Sequence, residues 1–135
     1  ASIALSAIAI MERENVLDNV RANEPLAREL LEELKDIPIV GDVRGMGHFF
    51  AIEVVKDQAS REALTEDEAG WLLKDVLSDQ LMERGMICRL DDRAEPIVQI
   101  APPLVADAAL FEEIAAILRD GLTHAAGQLE VGAPA

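Results

Sequence analysis

Tyrosine is missing from these 135 residues, and tryptophan occurs once. With only three phenylalanines beside it, the chain must build its core from leucine, isoleucine, valine and alanine, in a sequence that is 50% apolar. There is one cysteine, Cys88, which excludes an intrachain disulfide and a cysteine metal site and fits a reducing compartment. Basic side chains are scarce: 12 stand against 26 acidic ones, a net charge of −14. Such a surface repels nucleic-acid phosphates and anionic membranes. The longest apolar stretch, near Ile3 to Met11, is interrupted by Ser6, is too short to span a bilayer and lacks the pattern of a signal peptide. The expected location is therefore the cytoplasm. His48 and His124 lack metal-ligand spacing, and no nucleophile constellation is present. The glycine-rich "RGMG" (Arg44 to Gly47) precedes a strand rather than a helix, so it does not fit a phosphate-binding loop.

What is present fits one domain of ordinary size. Residues 1–13 are apolar on nearly every face and predict a helix that is covered on every face. Little chain precedes it to provide that cover, so the sequence is expected to be a piece of a longer protein, cut inside or just before this helix. A second helix is expected over residues 15–35, with Pro25 kinking it or marking a restart after Asn23. "DIPIVGDVRGMG" has strand character, and His48 to Asp57 alternates as a strand with two largely apolar faces, which suits an interior position. Thr65 and Glu68 form a capping box ahead of a helix that Gly85 is placed to end. "MICRL" and "IVQIA" predict a hairpin joined by "DDRAEP" and stopped by Pro102 and Pro103. Asp107 caps a final helix, and residues 127–135 are expected to be a frayed tail. This order gives an α+β fold: a small antiparallel or mixed sheet with helices packed on one face.

Bland roles suit most polar residues that stand out. Cys88 lies in a strand and is expected to be buried and inert. His124 suits the negative end of the last helix, His48 a structural place, and Trp71 the core or an interface. Arg89 is the exception. It ends an apolar strand beside an acidic loop, so it either pairs with Asp91, Asp92 or Glu95, or faces a carboxylate from elsewhere.

Three stretches together resemble the C-terminal small domain of class III, ω-transaminase-like aminotransferases of fold type I. "ALSAIAIMERENVLDNV" is similar to the helix after that family's large domain, and "VGDVRGMGHFFAIEVVKD" to its Val-Arg-Gly-x-Gly turn and strand. "RGMICRLDDRAEPIVQIAPPLV" is similar to its arginine-bearing strand, turn and Pro-Pro-Leu strand end. The resemblance implies that the chain, 1–135, is a small domain with an inter-domain helix at 1–13. It implies pyridoxal 5'-phosphate as cofactor, bound mainly by the large domain, whose upstream lysine forms the Schiff base. Lys35, Lys56 and Lys74 match no such motif, so no catalytic or cofactor-binding residue is expected here, and no metal. It further implies a homodimer that moves an amino group from an amine or ω-amino acid to a keto acid such as pyruvate. Within this chain it assigns one substrate-binding residue, Arg89, which contacts the substrate carboxylate and swings away from apolar groups. The "DDRAEP" turn is longer and more charged than the family's, and Arg93 within it is placed to compete for the substrate or to hold Asp91 and Asp92 away from Arg89. Two alternatives stand beside this reading: a same-family aminomutase, and a non-catalytic α+β interaction domain that shares only the architecture.

Overall fold

The computed structural model describes residues 2–132. Helix α1 (Ser2–Arg13) leads into α2 (Val16–Glu32), a 3₁₀ turn (Glu33–Asp36), and the strands β1 (Val40–Met46) and β2 (Phe49–Val54). A helical segment follows in three parts: α3 (Glu66–Gly70), a π-wound stretch (Trp71–Leu77) and α4 (Ser78–Glu83). Strands β3 (Arg89–Asp91) and β4 (Ile97–Ile100) then precede α5 (Ala108–Val131). The four strands form one sheet in the order β1-β2-β4-β3, antiparallel throughout.

Strand alternation decides what the sheet covers. Phe50, Ile52 and Val54 of β2 and Val98 and Ile100 of β4 are buried on one face, joined there by Val40 and Val43 of β1. Against them lie Ala27 and Leu31 of α2, Leu72, Leu73 and Leu77 of the π-wound stretch, and Phe111, Leu118 and Leu122 of α5. Burying side chains of this size stabilises the fold by roughly 1.5–3 kcal/mol each. The core is aliphatic, as the shortage of aromatics requires.

Both turns of the central segment are set by glycine. Met46 pairs with Phe49, leaving Gly47 and His48 as a two-residue hairpin loop, and Gly47 has a φ of 61°. A Cβ on Gly45 would meet the Phe49 carbonyl oxygen and lie 2.7 Å from Phe50 Cα. The helix expected to stop at Gly85 does so in a Schellman arrangement. Gly85 N–H donates to Met82 O (3.0 Å) and Met86 N–H to Leu81 O (2.9 Å), with Gly85 at a φ of 84°. The Thr65–Glu68 capping box forms in both directions, and Asp107 accepts from Leu110 N–H at 3.0 Å.

Several expectations are corrected. Helix α1 forms, yet none of its residues is buried: Ile3 is 86% exposed and Leu5 68%. Helix α2 continues through Pro25 rather than restarting after Asn23. The expected tail is helical to Val131, because α5 continues past Gly127; residues 133–135 lie outside the described residues. His124 is therefore seven residues from the last helical position rather than at the helix end. The π winding was not foreseen, since Leu72, Leu73 and Leu77 suit an α-helical face as well.

Two predictions follow from these local geometries. Gly45→Ala should lower stability by roughly 1–3 kcal/mol, the cost of forcing atoms into a filled site, because the clash is with backbone. Gly127→Ala, where a Cβ meets nothing within 4 Å, should raise it by about 0.5–1 kcal/mol. Denaturant midpoints of the two variants should thus move in opposite directions. The second concerns Glu68, whose carboxyl is drawn from 4.5 to about 2, first by the Thr65 backbone N–H, then by Lys56 and the Thr65 hydroxyl. Its folded-state value is lowered, so its contribution is full above about pH 4.5 and is lost as pH falls through about 2. The melting-temperature gap between wild type and Glu68→Gln should therefore narrow on acidification across that window, and a constant gap would contradict the assignment.

Candidate functional site

Register carries Arg89 to its place. It opens β3, the edge strand, opposite Gln99 of β4, which in turn pairs with Ala51 of β2 and through it Arg44 of β1. Leu90 packs on the core, so its neighbours Arg89 and Asp91 project to the other face of the sheet. That face carries the row Arg44, Ala51, Gln99, Arg89 and, beside it, Glu53, Ile97 and Asp91.

A cleft of about 460 Å³ opens along the lead-in to β3, the segment after β4 and one side of α5. Its walls are mostly apolar, including Met86, Ile87, Ile100, Pro102, Leu110 and Ile114. Arg89, Gln99 and Glu113 are the polar side chains at its lining. A mainly apolar cavity with few convergent polar groups is what a small-molecule site requires. Cys88 also lines it: the residue lies just before β3 and is half-buried, rather than buried within a strand as expected, and burial pushes its thiol up to about 11.

The acidic loop is sorted by charge. Arg89 donates one hydrogen bond to Asp91 Oδ2 at 2.9 Å. Arg93 grips the same carboxylate with both ends of its fork, Nε to Oδ1 at 2.8 Å and an Nη to Oδ2 at 2.7 Å, and its backbone N–H donates to Oδ1 at 3.2 Å. Arg93 first and Arg89 second hold the Asp91 carboxyl far below the usual carboxylate range. Asp92 is bound by Lys74 at 2.6 Å, and Glu95 by Arg44 at 3.0 Å. Of the three acids offered by the sequence, Arg89 therefore meets Asp91. The local ion pair and the cleft position coexist in one residue. The shared hold of Arg93 on Asp91 was only half foreseen, although the i, i+2 spacing of Arg89 and Asp91 already put them on one strand face.

His48 and Trp71 pack against core residues. His48 is 4% exposed, lies edge-on to Phe111 at 4.8 Å and has Nδ1 3.4 Å from Pro103 O. Trp71 packs on the core. No group of acidic, histidine or cysteine side chains suited to a metal occurs among the described residues.

The chain matches the family model for class III aminotransferases over residues 1–122. It belongs to that family. It is 50% identical over 123 residues to a "probable aminotransferase" of Mycobacterium tuberculosis, covering 91% of this chain and 26% of that protein. It is 32% identical over 127 residues to the putrescine–pyruvate aminotransferase of Pseudomonas aeruginosa, covering 93% and 26%. In structure it superposes on an omega-transferase from Vibrio fluvialis with a TM-score of 0.83 and 27% identity, over 95% of this chain and 29% of the other. The chain thus spans about a quarter of the length of the curated relatives it matches.

Pyridoxal phosphate, the cofactor implied by this family, needs a lysine amine able to lose its proton. Glu32 and then Asp42 raise Lys35, and Glu68 and then Glu62 raise Lys56, both away from that state. Lys74 is held by Asp92. None of the three lines the cleft, so the described lysines do not fit covalent attachment of the cofactor. Mixing this chain with pyridoxal phosphate, reducing with borohydride and weighing the product should show no single stoichiometric adduct. One defined adduct at one lysine would contradict this.

Proposed function

We propose that the whole protein is a pyridoxal-phosphate-dependent transaminase, and that this chain supplies its C-terminal small domain with Arg89 as the group that binds a substrate carboxylate. It moves an amino group from an amine or ω-amino acid to a keto acid such as pyruvate. The observation that carries this is the family match over residues 1–122, which includes Arg89 at the lining of an apolar cleft. The cofactor, held by residues outside this chain, supplies the electron sink. As part of the same reading, residues 1–13 join the small domain to the large one, and the enzyme is a cytoplasmic homodimer. Among the described residues no helix is long and apolar enough to cross a membrane.

Arginine suits the assigned task. Its guanidinium is always charged, planar and able to donate two parallel bonds to a carboxylate. The Pseudomonas relative is named for both putrescine and pyruvate. The first carries no carboxylate and the second carries one, so such a site must accept both. An arginine 59% exposed and tied by one bond has the freedom to engage one substrate and withdraw from the other.

Full-length protein with pyridoxal phosphate, an amine and pyruvate should form alanine; no transfer to any keto acid would overturn the reading. Arg89→Ala should remove a charge-assisted contact of about 1.5–3 kcal/mol. That is roughly a ten- to hundredfold loss in kcat/KM for carboxylate substrates, and a much smaller one for an amine without a carboxylate. Separate half-reactions measure the two. Equal losses with a lowered melting temperature would restore Arg89 to a purely structural role.

A further inference from the structure

We propose that Asp91 is the resident anion that Arg89 leaves when a substrate carboxylate arrives, and that Arg93 sets how firmly Asp91 holds it. This rests on the substrate role of Arg89 given above.

The two partners differ in freedom. Asp91 is 17% exposed and receives three hydrogen bonds from Arg93, so the acceptor is fixed. Arg89 is 59% exposed and makes one side-chain hydrogen bond among the described residues, so the donor is free to turn. Arg89 lines the cleft and Asp91 does not. Asp91 therefore offers a place to rest outside the apolar walls formed by Ile87, Ile100 and Ile114. Asp92 and Glu95 are occupied by Lys74 and Arg44 and do not compete.

The contest is uneven by design of the contacts. An exposed single-point ion pair is weak, whereas a carboxylate in the mainly apolar cleft can take both arms of the guanidinium. A carboxylate substrate therefore draws Arg89 off Asp91. An apolar substrate group offers nothing, and Arg89 stays on Asp91. Arg93 tunes the balance, because its bidentate grip shares the charge that Asp91 presents to Arg89. Asp91 and Arg93 are positioning residues: they act through Arg89.

The test compares kcat and KM of the full-length transaminase for pyruvate and for putrescine. Asp91→Asn should lower KM for pyruvate, raising the pyruvate-to-putrescine ratio of specificity constants about two- to fivefold, the scale of an exposed ion pair. Arg93→Ala should move that ratio the other way, and Arg93→Lys should restore part of it. Arg89→Ala in the same series separates the two claims. If Arg89→Ala lowers the ratio but Asp91→Asn and Arg93→Ala leave it unchanged or shift it in one direction, the resting-anion proposal is overturned while the substrate role stands. If Arg89→Ala affects both substrates equally, the underlying reading fails instead.

Discussion

Everything at the cleft depends on the register between β2, β4 and β3. Phe50 faces Ile100, Ile52 faces Val98 and Val98 faces Leu90, so the apolar residues form continuous rows beneath the helices. A slip of one residue would turn every side chain to the opposite face. It would expose the core and bury Arg89 and Asp91 in it, at the cost of unpaired charge. The packing that stabilises the domain is thus the same constraint that places Arg89 on the open face.

The charges around Arg89 then follow a simple division. Lys74 and Arg44, on other elements, take Asp92 and Glu95 and fix the β3–β4 turn to the helix and to β1. Arg93 fixes Asp91 from within the turn. Arg89 keeps a single contact and the length of its stem.

Much of this was legible in the sequence. Alternation identified β2 as interior, the Thr65–Glu68 and Asp107 caps fixed helix starts, and Gly85 its stop, because each signal is local and carries its own geometry. The three stretches that begin at Ala4, Val40 and Arg84 carried the resemblance to the family. What stayed hidden depends on contacts distant in sequence or on small energy differences. Nothing in the spacing of Leu72, Leu73 and Leu77 separates π from α winding. Pro25 was expected to kink α2 or mark a restart after Asn23; the helix does not restart there, and Ala27 and Leu31 beyond it pack in the core. The glycine at 127 and the small residues around it suggested a frayed end, although Leu122, Ala125 and Leu129 continue the packed stripe of α5. The partner of Arg89 was open among three acids, because the choice is made by Lys74 and Arg44 from elsewhere in the fold.

The most direct measurement is a crystal structure of the full-length enzyme with a carboxylate-bearing substrate analogue in the active site. The account predicts both arms of Arg89 within hydrogen-bonding distance of the analogue's carboxylate, and Asp91 held by Arg93 alone. An analogue carboxylate bound by some other group, with Arg89 still on Asp91, would contradict it.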